Sequence, residues 1–492
     1  MNLHMLIHPA GQPQPPSRRQ ATGPGLRRAA VATALLLAAT LAGADTTQIA
    51  NEPLITMSAV MPKPNLMVIL DDSGSMNWSY MPDDLGRSYN ATDEPYADWY
   101  GYRSAQCNGV AYDPSLNYTP PLKADGTSYP DASFTAAWED GYEQDGDTTN
   151  LMGAGSTYTA SSRTGSGPVT FTFSNSSGVG TSTFNVGDTV TFRRGSSGTR
   201  YSGTVTSWTS STTGWLFPTT TYTLVVSVSG FSSTRSDDWR VTAEGTTGQT
   251  YYTYTGKETA MNWAYKSDGS VDTGTTFYKE CSSAVGKTPG SKVFDPKTVI
   301  KTSDEATNYA NWYSYYRKRY LLMRTAMGQA FEPLDDAYRV GFMRINKITE
   351  AETGTSKSTF RPVNDFDGTQ KGLFYSSLYS DPPTGGTPLR KALSTAGRYF
   401  ANKLKGQDPM QYACQRNFAL LTTDGYWNGD AGTNLSNKTI GNEDGKAGAP
   451  YQDTHSSTLA DVAYYYYETD LRTEKLGNCT GALGKDVCAN IL

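Results

Sequence analysis

Asp71, Ser73 and Ser75 stand in the pattern D-x-S-x-S, one carboxylate and two hydroxyls within five residues. All three are hard oxygen donors, suited to Mg²⁺, Ca²⁺ or Mn²⁺ rather than to zinc or copper. Alone the pattern is weak, because serine is common in loops. Two further segments strengthen it. Gly385-Gly386-Thr387-Pro388-Leu389 places a hydroxyl at the start of a helix, and Leu420-Leu421-Thr422-Thr423-Asp424-Gly425 places a carboxylate directly after an apolar run. Singly, Thr387 also reads as an N-cap, Asp424 as a turn residue and the serines as loop. Jointly they predict a divalent cation, Mg²⁺ first with Ca²⁺ or Mn²⁺ as alternatives. Ser73, Ser75 and Thr387 would offer hydroxyls, while Asp71 and Asp424 supply charge directly or through ordered water. Such neutral donors leave an ion electron-poor, with an open position for a partner's carboxylate. Asp72 points away by strand alternation and reads as structural, bonded to the backbone of the turn.

The elements that would position these groups are legible nearby. Leu66 to Leu70 is a continuous apolar run of strand length, as expected for a strand buried on both faces of a parallel sheet. In open α/β sheets, sites lie beyond the carboxyl ends of the strands, which is where Asp71 falls. Arg339 to Ile345 and Phe418 to Thr422 predict two more strands. From Ala306, the aromatic and apolar residues Tyr309, Trp312, Tyr316, Tyr320, Met323, Met327 and Phe331 recur every three or four positions. That spacing predicts one amphipathic helix of some six turns, with Arg317, Lys318 and Arg319 on its solvated side. Thr387-Pro388-Leu389 opens another helix, with Leu389, Leu393, Ala396 and Phe400 inward. A last helix is expected over 457–471, with Leu459, Val462, Ala463 and Tyr466 buried. The order strand, very long insertion, helix, strand, helix, strand, helix describes an α/β domain interrupted near its start.

Composition narrows the function classes. The 492 residues allow two or three domains, and the charged fraction of 18% is low against a usual value of about 25%. Arg18, Arg19, Arg27 and Arg28 precede the apolar stretch Ala29 to Ala44, which ends in Ala-Gly-Ala, so residues 1–44 read as a secretory signal peptide. The stretch is short for a membrane span, and no transmembrane segment is expected after cleavage. Cleavage takes four Arg and no acid, leaving 38 basic against 47 acidic residues, a poor balance for binding nucleic acid. All five Cys follow the cleavage site, in a compartment where disulfides persist. Cys479 with Cys488 and Cys107 with Cys281 are the candidate pairs, which leaves Cys414 over. His455 is the one His of the mature chain, too little for a histidine triad or a histidine-ligated zinc.

Residues 77–149 are aromatic, polar and Pro-containing, and read as long ordered loops. Trp78, Tyr80, Trp99 and Tyr100 there serve either as packing or as a ligand-facing surface, with packing favoured. Residues 156–243 alternate in short runs separated by Gly, Ser and Asn, which predicts five or six antiparallel strands in a small barrel or sandwich. Within it, FNVGDTVTFRRGSSGTRYSGTVTSW resembles the first hairpin of a small SH3-like barrel. Gly286-Lys287-Thr288 imitates the tail of a phosphate loop, but Cys281 stands where that loop needs Gly.

The order of D-x-S-x-S, Thr387 and Asp424 is that of the metal-ion-dependent adhesion site of von Willebrand factor type A domains, which the chain resembles here. DDSGSMNWSYMPDD, AYDPSLNYTPPLKADGTSYPDASFTAAWEDGY, NYANWYSYYRKRYLLMRTAMGQAF, GGTPLRKAL, LTTDGYWNGD and TDLRTEKLGNCTGALGKDVC are similar to the N-terminal half of the PilY/PilC family. Those are type IV pilus biogenesis factors and tip-associated adhesins. The similarity covers most of 69–488 outside 156–243. It implies a type A fold, Rossmann-like and doubly wound with a mostly parallel sheet, interrupted by a small all-β insertion. The corresponding domains are 1–44 signal peptide, 45–155 the start of the type A domain, 156–243 the insertion and 244–492 the remainder. It further implies an exported protein at the cell surface, outer-membrane-associated or at the pilus tip. Its partners would be minor pilins and a surface or host ligand presenting a carboxylate, and Asp71, Ser73, Ser75, Thr387 and Asp424 match the family's adhesion-site positions. Family members continue into a C-terminal β-propeller with a calcium site that affects pilus retraction. This sequence stops at Leu492, before the remaining type A strands, so a C-terminally truncated product is expected. A secreted metal-dependent hydrolase is the alternative of another class, but no G-x-S-x-G or H-E-x-x-H supports an enzyme. A structural surface protein with a non-functional metal site is the third.

Overall fold

The computed structural model describes residues 3–5, 62–86 and 98–472, with short breaks at 145, 217, 258–262, 268, 287–289, 413–414, 447 and 450. In chain order the strands begin with β1 (Leu3–Met5) and β2 (Asn65–Leu70), then a short ribbon of β3 (Ala137–Trp138) and β4 (Thr148–Thr149). A run of seven follows: β5 (Ala154–Thr159), β6 (Ser162–Thr164), β7 (Val169–Ser174), β8 (Thr189–Arg194), β9 (Tyr201–Thr213), β10 (Thr219–Ser227) and β11 (Trp239–Glu244). The pair β12 (Gln249–Tyr254) and β13 (Phe294–Val299) encloses helix α1 (Thr276–Cys281). Next come α2 (Ala306–Tyr315), α3 (Arg319–Phe331), β14 (Arg339–Arg344), α4 (Ile348–Thr353), β15 (Phe360–Asp365), α5 (Gly368–Leu378), α6 (Leu389–Phe400), β16 (Asn417–Thr422) and α7 (Leu459–Glu468).

One five-stranded sheet has the order β1-β16-β2-β14-β15. The contacts β1–β16, β16–β2 and β2–β14 are parallel, and β15 closes one edge antiparallel to β14. The unbroken apolar run of β2 is explained by burial on both sides. Met67 and Ile69 pack with Leu393 and Ala396 of α6 and Val462 and Tyr466 of α7, whereas Val68 and Leu70 pack with Met327 and Phe331 of α3 and Phe374 of α5. α7 starts from a reciprocal cap between Thr458 and Asp461. β15 and α5 were not foreseen. Arg361, Pro362 and Asn364 mask β15, and Pro is tolerated there because the strand lies at an edge.

The expected fold class is corrected by the topology. The protein is a mixed α and β structure whose largest sheet is antiparallel, not a doubly wound, mostly parallel sheet of the type A kind. That sheet has seven strands in the order β5-β11-β8-β9-β10-β7-β6. β6–β7, β8–β9 and β9–β10 are joined by short turns, which can link only antiparallel neighbours, and β5–β11, β11–β8 and β10–β7 pair antiparallel as well. β12–β13 and β3–β4 are antiparallel as well. Parallel pairing among the described strands is confined to the three contacts around β16 and β2.

β5 and β6 are two halves of one kinked stretch. β5 pairs with β11 and β6 with β7, while the amide of Ala160 donates to Trp239 and that of Ser161 to Thr172. The seven-stranded sheet thereby rolls up and meets itself around Phe171, Phe173, Phe184, Phe192, Leu224 and Trp239. Its two ends touch, because Gly245 N donates to Gly153 O at 2.9 Å. A Cβ on Gly245 would lie 2.3 Å from the Met152 carbonyl oxygen, so this approach requires glycine.

The long amphipathic helix is also corrected, into α2 and α3 with a break at 316–318. Arg319 N donates to Trp78 O at 3.0 Å instead of continuing the helix ladder. Arg317 and Arg319 are buried rather than solvated. Tyr80 and Tyr100 are core residues, and Trp78 stacks on Tyr80 with centroids 5.1 Å apart. Cys107 and Cys281 form a disulfide. Cys414, Cys479 and Cys488 lie outside the described residues, as does the expected leader apart from Leu3–Met5. No helix among the described residues is long and apolar enough to cross a membrane.

Candidate metal centre

Three loops meet beyond the carboxyl ends of β2 and β16. The first leaves β2 through Asp71 and turns at Gly74. The second, 384–388, leads into α6, and the third, 423–428, leaves β16. Gly74 N donates to Gly385 O at 3.1 Å, and Thr384 N to Asp72 O at 2.7 Å. Asn428 holds the second and third loops together, its Oδ1 accepting from Thr387 N at 2.8 Å while its own amide donates to Thr387 O at 3.0 Å. Gly385 adopts φ +100°, and a Cβ there would come 2.9 Å from Asn346 Oδ1. The parallel pairing of β2 with β16 thus brings Asp71 and Asp424, 353 positions apart in the chain, to one edge of one sheet.

Asp71 is 1% exposed. Its Oδ1 accepts from Ser73 N at 2.8 Å, while Oδ2 is buried without a hydrogen-bond partner. The Thr423 hydroxyl also favours the charged form of this carboxylate. Burial pushes the Asp71 carboxyl above its usual range; the Ser73 hydroxyl and amide oppose that shift, and nearby Asp424 adds to it. Ser73 Oγ and Ser75 Oγ lie 3.1 Å apart, so both hydroxyls occupy one small volume. Thr387 is buried, yet it does not cap the helix: α6 begins after Pro388 without a side-chain cap. The N-cap alternative for Thr387 is therefore set aside. Asp72 is bonded not to its own turn but to Asn346, whose backbone and side-chain nitrogens both donate to Oδ1 at 3.0 Å. Burial raises the Asp72 carboxyl too.

Asp424 differs from Asp71, because it already has a cation. Arg319 Nη1 donates to Asp424 Oδ2 at 2.7 Å, with side chains only 2% and 4% exposed. The same guanidinium donates through Nη2 to Asp83 Oδ1 at 2.5 Å and through Nε to Tyr80 O at 2.8 Å. It also lies over the rings of Trp78 and Tyr80, at 4.9 and 5.4 Å from their centroids. Sequence reading missed Arg319 because the 3.6-residue spacing runs unbroken through the helix break. The usable signal was three consecutive cations, Arg317 to Arg319, within an otherwise aromatic stretch. Asn346 and Asn428, which hold the loops in register, carried no signal of their own.

The donor chemistry fits a hard divalent ion. An unpartnered, buried carboxylate oxygen beside two hydroxyls is costly alone and is relieved by a cation. No group of three or more His, Cys, Asp or Glu among the described residues offers a competing metal site.

Comparison with known proteins gives three related matches, all type IV pilus biogenesis factor PilY1 of Pseudomonas aeruginosa. That of strain PAK is 26% identical over 468 residues, 91% of this chain. That of strain UCBPP-PA14 is 28% identical over 466 residues, 92% of this chain. That of strain PAO1 is 25% identical over 471 residues, 91% of this chain. The chain is thus similar to PilY1 over about nine-tenths of its own length. It spans 31% of the length of each of these PilY1 proteins. No protein-family model matches the sequence, and no solved structure matches it.

Proposed function

We propose that this chain is the cation-binding portion of an exported type IV pilus biogenesis factor that acts at the cell surface or pilus tip. The similarity to PilY1 over 91% of the chain supports the pilus role. The buried, unpartnered Oδ2 of Asp71 beside the Ser73 and Ser75 hydroxyls carries the proposal that the chain binds through a divalent ion. Asp71 and the hydroxyls of Ser73, Ser75 and Thr387 would hold the ion, with Asp424 contributing charge. Mg²⁺ is the first choice, with Mn²⁺ or Ca²⁺ as alternatives. When bound, the ion supplies a Lewis-acidic position for a carboxylate. The chain's own residues orient that position: Asn346 and Asn428 fix the loops, and Arg319 secures the side chain of Asp424. The partners would be minor pilins and a surface or host ligand presenting an acidic side chain. The role is binding rather than catalysis, in keeping with the similarity to pilus biogenesis factors.

The test is adhesion of piliated cells carrying the protein. EDTA should abolish attachment, and Mg²⁺ or Mn²⁺ should restore it. Thr387→Ala should reduce attachment while surface display of the protein is unchanged. Attachment that survives both treatments would show that the protein binds by another route.

A further inference from the structure

We infer that Arg319 is a specificity-determining residue of this centre: it keeps the Asp424 carboxylate out of direct contact with the ion, and thereby favours a small cation over Ca²⁺. The inference rests on the metal-binding reading above and deepens it.

Arg319 is seated too firmly to be displaced by an arriving cation. All three guanidinium nitrogens are used, on Tyr80 O, Asp83 and Asp424, and its backbone amide holds Trp78 O. Aromatic rings cover the guanidinium, and the residue is 3% exposed. Pulling Asp424 onto the ion would leave a buried guanidinium short of one partner, which is costly. Arg319 also begins α3, whose Met327 and Phe331 pack against the sheet, so it cannot swing aside without moving a helix. The helix break at 316–318 exists at the point where this amide turns to Trp78.

The consequence concerns charge at the ion. With Asp424 retained by Arg319, Asp71 is the single carboxylate free to touch it, beside neutral hydroxyls. Ca²⁺ sites take six to eight oxygens and gain affinity as carboxylates are added, whereas Mg²⁺ is content with one or two carboxylates and several waters. One free carboxylate therefore disfavours Ca²⁺ and leaves the bound ion strongly electrophilic toward an acidic partner.

Calorimetric titration of the chain with MgCl₂, MnCl₂ and CaCl₂ tests this, with far-UV circular dichroism as the control for folding. Asp424→Asn should weaken Mg²⁺ binding only about fivefold, as loss of a nearby but non-contacting charge, whereas Asp71→Ala should abolish it. Arg319→Gln should free Asp424 and tighten Ca²⁺ about tenfold relative to Mg²⁺. Adding Asp424→Asn to that variant should remove the gain. If Asp424→Asn abolishes Mg²⁺ binding as completely as Asp71→Ala, Asp424 is a direct ligand and the inference is wrong, whether or not the Arg319 variant folds. An unchanged Ca²⁺ to Mg²⁺ ratio in a folded Arg319→Gln chain would overturn it as well. Failure of the native chain to bind any of the three ions would instead remove the metal reading itself, and this inference with it.

Discussion

The barrel-like sheet of 154–244 and the five-stranded sheet solve the burial of their interiors in opposite ways. In the former, the alternating pattern of β7 sends Val169, Phe171 and Phe173 inward and its threonines outward. Arg163 and Glu244 are its only charged residues buried to the core level among those described. The five-stranded sheet and the elements around it bury Asp71, Asp72, Arg319, Arg324, Arg339, Arg344 and Arg398. Most of these are paired with opposite charges: Arg339 with Asp365, Arg398 with Glu352, Arg324 with Asp140, Arg344 with Asp381, and Arg319 with Asp83 and Asp424. Asp71 keeps one carboxylate oxygen without a partner, as Arg324, Arg344 and Arg398 each keep their Nε, but Asp71 is the anion of this set with such an atom. An apolar interior stabilises a shape, whereas a charged interior carries polar demands that a ligand of opposite sign can meet, and an unpartnered carboxylate oxygen calls for a cation.

The sharpest way to break this comparison is a cavity in the apolar region. Phe171→Ala should cost about 3–5 kcal/mol in the stability of 154–244. It should leave the cation site intact, because that segment leaves and rejoins the body at the hydrogen-bonded Gly153 and Gly245. A urea titration with parallel Mg²⁺ calorimetry checks both halves. Loss of cation binding at conditions where the rest stays folded would show that the two regions are energetically one.

A smaller effect is expected at the joint between them. Lys301 donates to Asp188 at 2.7 Å and also pairs with Glu244, whose side chain is 3% exposed. Lys301→Met should destabilise by about 1–3 kcal/mol, since the buried Glu244 loses its cation. Burial raises the Asp188 carboxyl, but Lys301 and the Asn185 nitrogens outweigh that and hold it below its usual range. The native interaction is thus complete above the ordinary carboxylate range and fades as pH falls through the lowered value. Thermal melts from pH 6 to pH 3 should show the native and Lys301→Met chains converging. Parallel curves would exclude the joint as a source of acid sensitivity.

The smallest effect sharpens the site itself. The Asp71 carboxyl is raised, so without an ion its charged form costs stability as pH climbs through that elevated range. A cation needs the charged form. Mg²⁺ affinity should therefore decline on acidification as the Asp71 carboxylate takes up its proton. A pH-independent affinity between 7 and 5 would argue against Asp71 as the ligand.

Much of this was legible in the sequence, for physical reasons that also explain the gaps. β2 was visible as an unbroken apolar run, because a strand covered on both faces cannot alternate, and β14 and β16 as short apolar stretches between polar ends. The three site loops followed from residue types at strand and helix ends. Antiparallel strands over 156–243 followed from alternation between turn residues, although the kink that lets β5 and β6 serve both edges left no mark. The class assigned by resemblance did not hold, because the motifs carried information about one edge of one sheet and not about the pairing of the other strands. Arg319 stayed hidden because a tertiary bond to Trp78 O, not any local propensity, ends the helix before it. The disulfide Cys107–Cys281 was named as a candidate, and burial of both residues at 1% or less accords with its place in an aromatic cluster with Tyr100 and Phe277.

The central claim is that the buried, unpartnered oxygen of Asp71 is there for a divalent cation. Isothermal titration of the metal-free chain with Mg²⁺, beside its Asp71→Ala variant, tests it most directly. The account predicts one saturable site in the native chain, no site in the variant, and superimposable far-UV circular dichroism. Equal binding in both chains, or no binding of Mg²⁺, Mn²⁺ or Ca²⁺ by a folded native chain, would contradict it.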